Sequence, residues 1–156
     1  MKAGALAGRA EEETMGSKLR TVSWVLLAIV GVLVALGSLA SAMLAYRGDF
    51  PIGGVSIGEI AGGREGVLLG LRGSRGTAAA WGASWATLFL FVVLGPYRRG
   101  DVTTWWGILI SAIVLGAVAG ARVAIGAQAG TGAPLVLLVV VLIALLIDVR
   151  RLTAPR

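Results

Sequence analysis

VSWVLLAIVGVLVALGSLASAMLAY, from Val22 to Tyr46, holds no charged residue, and its reading decides the fold. A hydrocarbon layer about 30 Å thick takes about 20 helical residues at 1.5 Å each, so this stretch crosses it with some tilt. Lys18 and Arg20 precede it and Arg47 follows. Three further apolar stretches lie downstream, at about 77–97, 102–125 and 133–149, again with arginines near their ends. In lipid the backbone must satisfy its own polar groups, so such segments are helices. The expected architecture is all-α, a four-helix transmembrane bundle. A flexible tail at 1–21 precedes a four-span domain at 22–152. That domain contains an outer loop at 47–76, and a short tail at 153–156 follows.

Composition agrees. The 156 residues are 57% hydrophobic and only 14% charged, against about 25% charged in ordinary soluble domains. The net charge of +6 sits at segment ends, which is the flank of membrane helices. It lacks the basic patch of a nucleic-acid binder, so no nucleic-acid partner is expected. The chain has no Cys and no His. Disulfides, thiol chemistry, His-ligated haem, Cys/His zinc sites and histidine acid–base catalysis are thereby excluded. No metal and no cofactor is expected.

Counting Lys and Arg gives the threading. Lys2, Arg9, Lys18, Arg20, Arg98, Arg99, Arg150, Arg151 and Arg156 fall on one side. Arg47, Arg64, Arg72, Arg75 and Arg122 fall on the other. The richer side is cytosolic by the positive-inside rule. This places a multi-pass protein in the plasma membrane with both termini in the cytosol. Ala40-Ser41-Ala42 has the form of a signal-peptidase site. The apolar run continues past it to Tyr46, and the acidic Glu11–Glu13 is atypical of a signal peptide, so the stretch reads first as a retained span, with cleavage near Ala42, which would leave three spans, as the rival reading.

Lipid gives apolar helices no hydrophobic reason to associate, and small residues that allow close backbone approach supply van der Waals contact instead. Ala28, Gly31, Ala35, Ser38, Ala42 and Ala45 form such a stripe on the first span. Ala78, Gly82 and Ala86 form one on the second, and Ala112, Gly116 and Gly120 one on the third. Gly31, Ala35, Ser38, Gly82, Gly116 and Gly120 are the expected packing positions. The fourth span is bulky nearly all round and is expected to face lipid. Trp81, Trp85, Trp105 and Trp106 read as interfacial anchors.

No constellation announces catalysis. No carboxylate lies in the middle of a span, and the intramembrane serines have no His or Lys beside them. An arginine inside a membrane segment is costly, which singles out Arg122, although such a residue also snorkels to headgroups. Arg72, Arg75 and Arg122, with Glu59 and Glu65, are the candidate outer ligand site, suited to a lipid phosphate or a carboxylate because guanidinium offers paired donors. The leading expectation is a non-enzymatic accessory protein that packs with itself or with a membrane partner. The alternative is a binder or carrier of a lipid or small hydrophobic molecule at the outer mouth.

Leu71-Arg72-Gly73, the Tyr97-Arg98-Arg99-Gly100-Asp101 turn, Trp105-Trp106 and Gly120-Ala121-Arg122, set among four short spans, resemble the small bacterial four-helix membrane proteins of the DoxX-like group. The resemblance covers about 22–152 by general plan. It implies a bacterial membrane location and structural importance for Arg72, the Arg98-Arg99 turn and Arg122, and it carries over no catalytic residue.

Overall fold

The computed structural model describes residues 2–126 and 132–152, with side chains at 14–126, 132–149 and 152. The helices are α1 (Lys2–Arg47), α2 (Ile57–Ala61), α3 (Glu65–Val92), α4 (Val102–Ala124) and α5 (Gly132–Ile147). A π-turn, Val93–Tyr97, extends α3, and a 3-10 turn, Val149–Leu152, follows α5. The described residues are all-α apart from a short hairpin of two-residue strands. In it β1 (Pro51–Ile52) pairs antiparallel with β2 (Val55–Ser56), Ile52 opposite Val55. Gly53 and Gly54 make the turn with φ of 61° and 90°, values a two-residue hairpin of this hand requires and a side chain resists.

Two boundaries differ from the sequence expectation. The segment before Val22, expected as a tail, continues α1 back to Lys2. It is rich in Ala, Glu, Lys and Arg, all strong helix formers, and contains no proline. The helix is therefore about 69 Å long and ends only where Gly48 and Pro51 stop it. The outer loop is likewise shorter than 47–76, since α3 begins at Glu65. Gly66, Gly70, Gly73 and Gly76 suggest a loop by composition, yet each costs a helix only about 1 kcal/mol relative to alanine.

One of those glycines has a packing role. A Cβ on Gly76 would collide with the Tyr46 hydroxyl of α1. Further along, a Cβ on Gly82 would strike Ser38 Oγ, and one on Gly31 would lie 2.7 Å from Leu90 Cδ2. Partner numbers rise on α1 as they fall on α3, so the two helices are antiparallel and held close at three levels. Ala79 and Ala86 are buried on α3, whereas Ala78 is exposed. Ala35 and Ser38 are half-buried on α1.

Helix α5 lies between α1 and α4, packing on both. It buries Val141, Ala144 and Leu145, and Leu138 Cδ2 lies 3.3 Å from a Cβ built on Gly116 of α4. The fourth apolar segment is thus central rather than peripheral. A helix with a neighbour on each side needs bulk to fill both gaps, and its bulky surface had read as a lipid-facing one.

Among the described residues, three helices are long and apolar enough to cross a membrane: Thr14–Arg47, Glu65–Tyr97 and Val102–Ala124. Helix α5 is a shorter apolar helix of 16 residues. In the most apolar windows of the three long helices only 17–22% of residues are buried, so most of their apolar surface faces outward, as a lipid solvent allows.

Gly31→Leu drives a side chain into Leu90 and Phe89. We expect it to destabilise the detergent-solubilised protein by about 1–3 kcal/mol, read as a lowered thermal midpoint. Gly120 has nothing within 4 Å of its built Cβ, and Gly120→Leu is expected to stay within about 0.5 kcal/mol of the parent.

Candidate functional site

The end of α3 organises one end of the molecule. Pro96 has no N–H and its ring crowds the carbonyl four residues before it. The helix widens there into a π-turn, with Arg98 N donating to Val93 O at 3.1 Å. Gly100, at φ 96°, reverses the chain. Asp101 then caps α4, accepting from Thr103 N at 3.0 Å and from the Thr104 hydroxyl at 2.5 Å. The Thr104 hydroxyl, and after it the Thr103 amide, hold the Asp101 carboxyl below its ordinary pKa of 3.8.

The widened turn carries Tyr97 into the core, where it is fully buried. Its hydroxyl lies 2.7 Å from Ser23 Oγ of α1, and Ser23 donates to Ala144 O of α5 at 2.8 Å. Ser23 has one hydroxyl proton and the carbonyl takes it, so Tyr97 is the donor to Ser23. Trp105 of α4 donates through Nε1 to Leu145 O at 3.1 Å. Ala144 and Leu145 belong to the last turn of α5, where the α-helical backbone pairing runs out and side chains supplement it. Side chains from α1 and α4 thus cap the end of α5, with Tyr97 of the turn supporting Ser23. Leu27, Val30, Phe89, Val93, Ile108 and Val141 pack around this network. Sequence reading placed Trp105 with Trp106 as interfacial anchors; Trp106 is exposed, but Trp105 is buried at 5%.

Basic groups gather at the same end. Arg98 lies over the Trp24 ring at 5.0 Å. Arg20 Nη1 lies 3.8 Å from a Cβ built on Gly100. Arg99 is exposed in the turn.

At the opposite end the predicted ligand residues are spread over several elements. Arg75 lies 4.0 Å over the Phe50 ring and donates through Nε to Ser41 Oγ at 3.1 Å. It fastens the hairpin and α3 to α1. Arg64 donates to Ala61 O at the end of α2. Arg72 Nε is enclosed with no hydrogen-bond partner among the described residues. Glu59 and Glu65 are exposed in the first turns of α2 and α3. Arg122 is exposed in the last turn of α4, a helix that packs on α5 and on the π-turn.

Between α3 and α4 a lateral cleft of about 340 Å³ remains. Its α3 wall is the stacked pair Trp85–Phe89, 4.8 Å between rings, with Leu88 and Val92. Its α4 wall runs from Thr103 and Thr104 through Gly107 and the apolar Ile108 to Ser111. Sequence reading missed both the cleft and the Ser23–Tyr97 pair. The only signal for the cleft was Gly107 and Ser111 one helical turn apart, on a face different from the Ala112–Gly116–Gly120 stripe.

No family model, curated protein or solved structure matches the chain.

Tyr97→Phe deletes the bond to Ser23 and leaves Ser23 bonded to Ala144 O. We expect a loss of about 1 kcal/mol for it and more for Ser23→Ala, which removes the Ser23 bonds to both Tyr97 and the Ala144 carbonyl. A double-mutant cycle in detergent is expected to give a coupling of about 0.5–1.5 kcal/mol. The Asp101 cap predicts a pH effect. Its folded pKa lies below the unfolded one, so its contribution is complete above the ordinary carboxylate value and is lost as pH falls through the lowered value. Asp101→Asn keeps the cap without the charge. The parent-minus-variant difference in thermal midpoint is therefore expected to shrink as pH falls below about 4.

Proposed function

We propose that the chain is a four-span integral protein of a bacterial-type plasma membrane, with both termini cytosolic and a non-enzymatic role. It packs with a second copy or with another membrane protein. The reading is carried by the outer half of α4. Ala117, Gly120, Ala121 and Ala124 leave that half small and exposed, and the space over Gly120 is unfilled. Gly31, Gly76, Gly82 and Gly116 face neighbouring helices within the chain, whereas Gly120 is left for a helix from outside. Nine Lys and Arg residues on the side of the termini against five on the other support the threading.

A second reading has its own observation. The enclosed Arg72 Nε without a partner favours an anionic group at the outer mouth, a lipid phosphate or a carboxylate-bearing small molecule, with Arg75 as a positioning residue.

Assembly through α4 is tested in native membranes by proximity transfer between two labelled copies, and by mass spectrometry of the gently extracted protein for a foreign partner. Gly120→Leu is expected to leave folding intact and to reduce association at least fivefold, about 1 kcal/mol by the usual conversion. Unchanged association in both assays overturns the α4 face as the interface. Reporter fusions at residue 54 and at the C-terminus test the threading, the first expected outside and the second inside.

A further inference from the structure

The α3/α4 cleft opens sideways into the layer these helices would cross, and its position relative to the basic turn narrows what fills it. Along α3 the lining runs from Trp85 to Val92, and along α4 from Thr103 to Ser111. At 1.5 Å per residue the cleft is about 10–12 Å long. One end lies at the Tyr97–Asp101 turn, where Val92 and Thr103 approach the helix junction. A hydrocarbon layer about 30 Å thick gives each leaflet about 15 Å. The cleft therefore occupies the depth of a single leaflet. A transmembrane helix docking there would need a groove along the whole layer, but an acyl chain needs only this much.

Charge selects among lipids. Arg20, Arg98 and Arg99 come from α1 and the turn and lie at the turn end of the helices, the level at which the cleft also ends. Asp101, the acid in that turn, is occupied by Thr103 N and the Thr104 hydroxyl. Basic residues grouped between membrane helices at the headgroup level are the electrostatic counterpart of an anionic headgroup. Inside the cleft, the flat Trp85–Phe89 wall faces Gly107, whose built Cβ meets nothing within 4 Å. The space is apolar on one side and unfilled on the other.

We propose that the cleft is a binding site for one anionic phospholipid of the leaflet facing the Arg98–Arg99 turn. One acyl chain lies between Trp85–Phe89 and Gly107–Ser111, and its phosphate lies at Arg99, with Arg20 and Arg98 beside it. This rests on the membrane reading above and is separate from the outer Arg72 site and from the α4 interface.

The test is native mass spectrometry of the full chain released from nanodiscs of equal phosphatidylglycerol and phosphatidylcholine. A chain that does not insert fails to enter the nanodisc, which separates failure of the membrane reading from an empty cleft. The parent is expected to retain one phospholipid, enriched for phosphatidylglycerol. Gly107→Leu, which fills the cleft without a clash, is expected to cut retention of both lipids at least fivefold, and Ser111→Leu on the same wall to do likewise. Arg99→Gln is expected to keep a lipid but to lose about fivefold in preference for phosphatidylglycerol. Unchanged retention in both Gly107→Leu and Ser111→Leu overturns the site, and so does an unchanged headgroup preference in Arg99→Gln. A parent that leaves the nanodisc as a dimer, dissociated by Gly107→Leu, also overturns it and assigns the cleft to a second copy.

Discussion

The carbonyl groups at the end of α5 are the constraint around which the turn end of the molecule is built. A helix must end, and its last carbonyls then have no partner within it. In a low-dielectric surrounding an unmet carbonyl is costly. Here the partners are side chains from other helices: Ser23 for Ala144 and Trp105 for Leu145. Each bond is modest alone, about 1 kcal/mol net. Together they fix which helices meet and at what height. Tyr97 reaches Ser23 because Pro96 widens the end of α3, so the chain reversal and the polar core depend on one another.

The other end is held differently. Helices α1 and α3 approach by glycine contacts and by Arg75, which bridges Phe50 and Ser41. Helix α4 packs on α5 and on the π-turn, so α3 and α4 diverge from their shared turn and leave the lateral cleft. The molecule combines a tightly bonded turn end with exposed apolar flanks on α3 and α4. The two proposals divide these surfaces. The cleft near the turn suits a lipid, and the small outer half of α4 suits a protein.

Much of the helical fold was legible because long uninterrupted apolar runs favour helices. Uninterrupted apolar length marks α1 and α4, and arginines mark the ends. The small-residue rule picked out Gly31, Ser38 and Gly82, which lie at close helix contacts. What escaped reading has physical reasons. Glycines at 66, 70, 73 and 76 read as loop, because intrinsic propensity is weak against the packing that recruits Gly76. The bulk of α5 read as a lipid-facing surface, because sequence does not tell a helix with two neighbours from one with none. Ser23 and Tyr97 are 74 positions apart, and neither carries a charge to attract notice. The outer candidates Arg72, Arg75, Glu59, Glu65 and Arg122 rest on charge and on the expected level along the spans. The structure gives Arg75 a bridging contact and Arg72 an enclosed donor, while the other three lie exposed on separate helices.

The central claim is that α5 is held between α1 and α4 at the turn end. The chain has no cysteine, so introduced pairs report without background. The most direct measurement is thiol cross-linking in native membranes with a short reagent, using cysteines at Ser23 and Ala144, with a control pair at Ser23 and Gly120. The account predicts rapid intramolecular cross-linking of the first pair and none of the second. Failure of the 23/144 pair to react while both thiols remain accessible to a monofunctional label would contradict it.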